Sequence, residues 1–143
     1  MVDDPYNLQR FVEAQAPVFE AVLAELRSGR KESHWMWFVF PQIAGLGSSR
    51  SAQHYAISSL AEAQTYLRHL TLGPRLRECT TLAVSIDGKS AEEVFGYPDF
   101  LKFRSCMTLF SRATSDDKLF VCALDKYFDG ELDPLTLQRL VQS

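Results

Sequence analysis

The chain has 143 residues, 46% of them hydrophobic, and a formal net charge of −3. That length suits one domain over residues 1–143 that buries its own core, and the acidic balance argues against general nucleic-acid binding, which needs a clustered positive surface. The longest nearly apolar run, Trp35–Pro41, is far short of the roughly 20 residues of a membrane span, Val2-Asp3-Asp4 does not open a secretory leader, and three scattered cysteines fit a reducing cytoplasm.

Leu8, Phe11 and Val12, then Phe19, Leu23 and Leu26, recur at helical spacings, with Pro17 placed to open a second helix and Gly29 to close it. The pattern predicts a helical hairpin or a kinked pair over about residues 7–28. His34–Phe40 has the aromatic and β-branched content of a strand, but no other run of that quality exists to pair with it, so a short buried helix is expected. Ser49 or Ser51 is placed to cap a helix containing Ala52, Gln53 and Tyr55. Ser59-Leu-Ala-Glu62 is a capping box ahead of the Leu60, Ala63, Leu67 stripe. Leu72, Leu76, Cys79, Ala83 and Ile86 form the cleanest amphipathic helix, ended by Asp87-Gly88.

A second capping box, Ser90-Ala-Glu-Glu93, opens a short helix that stops at Gly96, and Pro98-Asp99 suits the first turn of a longer one that buries Phe103, Met107 and Phe110. Phe120, Leu124 and Tyr127 share a face before Gly130. Asp133-Pro134 then starts a final helix through Leu137, Leu140 and Val141. These elements predict an all-α, single compact multihelical domain of seven to eight helices with no significant sheet.

Motif-bearing chemistry is missing. No phosphate loop, dinucleotide fingerprint, His-Glu-x-x-His, calcium loop or nucleophile elbow occurs, and no cofactor is specified. His34, His54 and His69 are too far apart in sequence for a one-turn helical metal pair, so no metal is expected. Cys79, Cys106 and Cys122 lie in apolar helical settings and read as slow-reacting structural thiols.

One stretch has the composition of a pocket. Both tryptophans and His34 precede the Gly45-Leu-Gly47-Ser48-Ser49 turn, where backbone N–H groups and hydroxyls can converge on an anion while an indole stacks on a planar ligand. Trp35 and Trp37 are two apart, so on a helix only one is a principal core anchor; Trp35 is assigned to the core, and Trp37, with His34 and Gln42, to a cleft. Lys102 and Ser105 project together from the same helix as Arg104, and Arg75 and Arg77 flank Leu76. Between Arg27 and Arg112, 11 lysines and arginines outnumber 7 carboxylates, against 4 and 11 in the flanks, so the middle of the chain suits an anion.

The succession Ser33-His-Trp-Met-Trp-Phe-Val-Phe-Pro-Gln42, Gly45-Leu-Gly47, Leu72-Gly-Pro-Arg-Leu-Arg77, Phe95-Gly96 and Ser105-x-Met107-Thr-Leu-Phe110 resembles the DUF1810 family over nearly the whole chain. The resemblance implies a multihelical fold and supplies neither an activity nor site residues. Some members carry a calpastatin-like label, but a compact aromatic domain has nothing in common with a long disordered inhibitor.

Two functions are carried forward. In the first, Trp37, Gln42, Gly45, Gly47, Ser48, Ser49, Arg75, Lys102 and Ser105 form a pocket for a small anionic or nucleotide-like ligand, with His34 as general acid or base if there is catalysis. In the second, the same residues are structural core and the exposed helices dock a partner protein. A pocket requires them to converge in one concavity.

Overall fold

The computed structural model describes residues 3–142, so Val2 of the acidic opening lies outside the described residues. Ten helices and no strand are present among them: α1 (Gln9–Gln15), α2 (Phe19–Ser28), α3 (Met36–Val39), α4 (Arg50–His54), α5 (Leu60–Arg68), α6 (Leu72–Val84), α7 (Ala91–Phe95), α8 (Asp99–Ser111), α9 (Lys118–Phe128) and α10 (Pro134–Gln142). The expected count of seven to eight was too low. The segments expected at His34–Phe40, around Ala52–Tyr55 and at Ser90–Gly96 each form a separate helix, α3, α4 and α7, of only four or five residues, and together with the longer helices they bring the total to ten. Segments that short carry almost no periodicity and are held by caps and tertiary contacts.

Side-chain caps open four of the helices, α4, α5, α7 and α10. Ser90 and Glu93 form the complete reciprocal box, with Glu93 N–H donating to Ser90 Oγ and Ser90 N–H donating to Glu93 Oε1. The Ser59 box is only half made. Glu62 N–H donates to Ser59 Oγ, but the Glu62 carboxylate accepts from Ser58 and Arg10 instead of reaching back to Ser59.

The centre of the molecule is α8, which packs against α5, α7, α9 and α10. Ser105 through Ser111 are all buried, so this helix is enclosed on every side rather than on the Phe103, Met107, Phe110 face alone. Three hydroxyls survive in that interior because each has an acceptor: Thr108 donates to the Arg104 carbonyl and Ser111 to that of Thr108, while the single proton of Ser105 is shared between the Leu101 carbonyl and the Asp133 carboxylate. Phe103 stacks on Phe95 at 4.5 Å, and Phe40 meets both rings edge-on, which ties the aromatic block to α7 and α8.

Beyond α3 the chain forms one parallel β-bridge, Ile43 to Ile57, in which Ala44 N–H donates to Ile57 O and Ile57 N–H donates to Gln42 O, both at 2.8 Å. Arg10 fastens the same segment from outside. Its guanidinium donates to the carbonyls of His54 and Ala56 and pairs with Glu62 Oε2 at 3.0 Å. No helix among the described residues is long and apolar enough to cross a membrane.

The cysteines divide. Cys79 and Cys106 are buried, and burial pushes the Cys79 thiol up to about 12 and Cys106 well above its ordinary value. Cys122 is exposed on α9, which corrects the uniform expectation of buried thiols: it follows Phe120 along the helix but points off the buried face. One thiol, Cys122, should therefore react with a maleimide in the native protein, and the other two only after unfolding, as mass spectrometry would read.

Candidate functional site

The aromatic block splits as its spacing predicts. Trp35, 1% exposed, is core, and its indole Nε1 donates to Glu25 Oε1 at 2.9 Å. Trp37 is half-buried and lines a cleft. Each indole carries a lysine on its face: Lys31 Nζ lies 5.2 Å from the Trp35 ring centre and Lys102 Nζ 5.0 Å from that of Trp37. Both lysines pair with one carboxylate, Asp99, at 2.9 and 3.3 Å. Asp99 thus joins the segment around α3 to the first turn of α8.

The cleft has a volume of about 490 Å³ and lies between the 42–52 segment, the N-terminal half of α8 and the start of α10. It brings together Trp37, Gln42, Gly47, Ser48, Ser49, Lys102 and Ser105. Gly45 lines an adjoining cavity of about 170 Å³ that shares Trp37, Gln42 and Gly47 with the first. Two expected members are elsewhere. His34 is exposed and lines neither cavity. Arg75 turns inward from α6, donating to Gln15 Oε1 at 3.4 Å with its guanidinium 4.8 Å from the Phe19 ring centre. Gln15 in turn donates to the Phe38 carbonyl and to Tyr66 Oη, so Arg75 supports the aromatic block from beneath.

The glycines of the turn serve close approach. A Cβ on Gly45, where φ is +97°, would meet the Arg139 guanidinium at 2.6 Å, and one on Gly47 would meet Ala52 Cβ at 2.6 Å. Ser49 Oγ accepts from Ala52 N–H and caps α4. None of the backbone N–H groups of residues 45–49 donates to an acceptor among the described residues.

Two charged residues of the cleft, Asp133 and Arg104, are not among the expected pocket residues. Asp133 is legible as the N-cap of α10, and its Oδ2 does accept from Thr136 N–H at 3.2 Å. Its burial is not legible: Oδ2 also accepts from the hydroxyls of Thr136 and Ser105, while Asp133 N–H donates to Thr108 Oγ1. The Ser105 hydroxyl is therefore committed to the cleft floor. Arg104 points its Nη2 at Asp133 Oδ1, 3.4 Å away, and its Nη1 lies 3.9 Å from Glu131 Oε2. Its Nε is the one buried side-chain nitrogen or oxygen among the described residues without a hydrogen-bond partner. A residue at i+2 from Lys102 on a helix gives no sequence signal that both border one cleft, because the fold beyond α8 decides it.

Chemically, the cleft offers an aromatic face, an amide, unpartnered backbone donors and two cations. Lys31, Lys102 and Arg104 are balanced by Asp99, Glu131 and Asp133, so the surroundings are neutral rather than strongly positive.

Among solved structures the chain is similar to the conserved hypothetical protein Rv1873 from Mycobacterium tuberculosis, with a TM-score of 0.96 and 58% sequence identity over 96% of this chain and 99% of that one. Among curated proteins nothing matches. The family described as a protein of unknown function, DUF1810, matches residues 5–140. With a match across nearly its full length, the chain belongs to the DUF1810 family.

Proposed function

We propose that the cleft binds a small ligand that combines a planar ring with one anionic group, nucleotide-like in those two respects. The observation that carries this reading is the meeting at one concavity of a half-buried indole, the unpartnered N–H groups of residues 46–49 and Arg104, whose buried Nε has no partner among the described residues. The ring would stack on Trp37 while the anion takes the backbone donors or the Arg104 side chain. The balanced ion pairs favour a single negative charge over a polyphosphate. Binding rather than proton transfer is the better-supported role, because the imidazole of His34 lies outside the cleft. A cytoplasmic setting agrees with three free thiols.

The test is a thermal-shift and calorimetric screen with mononucleotides and aromatic carboxylates on the wild type and on Trp37→Ala. Loss of a stacking indole should weaken a binder by roughly 1 to 3 kcal/mol, on the order of tenfold to a hundredfold in Kd. Equal affinity in the folded variant would refute the stacking role. A second reading, a partner-protein segment in the same cleft, is favoured by one feature: Leu101 and Leu135, 37% and 58% exposed, stand at its rim.

A further inference from the structure

A second concavity, of about 520 Å³, shares no lining residue with the Trp37 cleft. Three arginines from three elements border it: Arg68 in the last turn of α5, Arg77 in α6 and Arg112 just beyond α8. Gln64, Thr114 and Ser115 add an amide and two hydroxyls, and no aspartate or glutamate lines it. Among the described residues, Arg68 and Arg112 make no ion pair and donate no side-chain hydrogen bond. Asp3 and Asp4 lie along a neighbouring depression that Arg68 also borders, without pairing to it.

Arg77 is held in place. Its guanidinium lies 5.2 Å from the ring centre of Phe120, a fully buried side chain, and Nη2 reaches the Asp116 carbonyl at 3.5 Å. Thr114 Oγ1 accepts from Asp116 N–H, which leaves the hydroxyl proton for another partner.

A cation near a helix C-terminus is favoured on its own, and that accounts for Arg68 and Arg112 one at a time. It does not account for three guanidinium groups around one concavity with no carboxylate, an arrangement that like-charge repulsion opposes. A tetrahedral dianion relieves the repulsion, because guanidinium forks match its oxygens in pairs and hydroxyls complete the shell. We propose that this concavity is a phosphate-recognising site for a small phosphate compound. Its volume falls among those of small-ligand sites, and the acidic chain as a whole opposes a nucleic-acid backbone.

The experiment is an NMR titration of the full chain at physiological salt, following the arginine Nε–H signals and the amides of Thr114 and Ser115, with inorganic phosphate, ribose 5-phosphate and ribose. Saturable shifts with the two phosphates and none with ribose are expected. The Arg68→Ala/Arg112→Ala variant, whose replaced side chains are exposed and whose fold circular dichroism would verify, should bind on the order of tenfold more weakly per arginine lost. Tighter binding of ribose 5-phosphate identifies a phosphorylated metabolite, and equal affinity identifies free phosphate; both support the site. The proposal is overturned if no shift saturates, if the double variant binds as the wild type does, or if shifts occur only around Trp37 and Arg104. It is also overturned if a single-stranded oligonucleotide outcompetes the small phosphates at the same residues. Because the two concavities share no residue, the Trp37 cleft can fail its own test without touching this one.

Discussion

Replacing Arg10 by alanine should destabilise the protein by about 3 to 5 kcal/mol, the typical cost of removing one partner from a buried ion pair. The side chains of Arg10 and Glu62 are 11% and 3% exposed, so the remaining carboxylate cannot be rescued by solvent and keeps only its bonds to Ser58. Arg10 also donates from its side chain to the carbonyls of Tyr6, Asn7, His54 and Ala56, and those side-chain bonds are lost at the same time, Asn7 keeping only the bond from the Arg10 N–H. Chemical denaturation of Arg10→Ala, Glu62→Ala and the double variant gives the pair's coupling from a mutant cycle. The double variant should be less damaged than the sum of the singles. Additive losses would mean that the pair contributes nothing as a pair. Since Arg10 holds the chain on both sides of Tyr55, next to the bridge that positions Gln42, the variant should also loosen ligand binding in the cleft.

Trp35→Ala should cost a comparable 3 to 5 kcal/mol, roughly the range for large aromatic truncations in a core. The indole is enclosed, tilted against Phe40 at 6.1 Å and covered by Lys31, so its removal leaves a cavity that these neighbours cannot close. Trp37→Ala, at a half-buried position facing the cleft, should cost markedly less. Equal and severe losses at both positions would make the whole block core. The same site carries a pH dependence through Glu25. Burial pushes its carboxyl upward, but bonds from the Ser33 hydroxyl, the Ser33 and Glu32 N–H groups and Trp35 Nε1 together outweigh that and hold it at about 2. A carboxylate depressed in the folded state stabilises above its ordinary value of 4.5 and loses that contribution as the pH falls from there towards 2. The wild type should therefore weaken across that window by more than Glu25→Gln does in an acid titration of stability.

The aromatic block shows how far local information reaches. Trp35 stands at the N-cap of α3 with a φ of −134°, and contacts beyond the segment decide which tryptophan is core, but the i, i+2 spacing by itself predicts that the two part. Local information does suffice for Ser49 and Ser90 as caps and for Asp133-Pro134 as a helix start, since each cap bond closes within about three residues. Glu62 marks the limit. It sits in the position of a capping-box acid, but Arg10, 52 residues away, takes one carboxylate oxygen and Ser58 the other, so none is left to reach back to Ser59.

The helical class, the caps at Ser49 and Ser90 and the start of α10 at Asp133-Pro134 were legible in the residues alone, as was the expectation that the two tryptophans part. These rest on hydrogen bonds and side-chain projections within a few residues of one another. Tertiary structure alone decided that Lys102 and Arg104 meet that turn, that Arg75 and His34 do not, that Asp133 is buried and that Arg68, Arg77 and Arg112 face one hollow. Those outcomes depend on how α5, α6, α8 and α10 pack around one another. A helical arginine has much the same local pattern whether it ends in solvent, over a ring or at the wall of a cleft, because its long stem lets the charge follow whatever the neighbouring helices leave open.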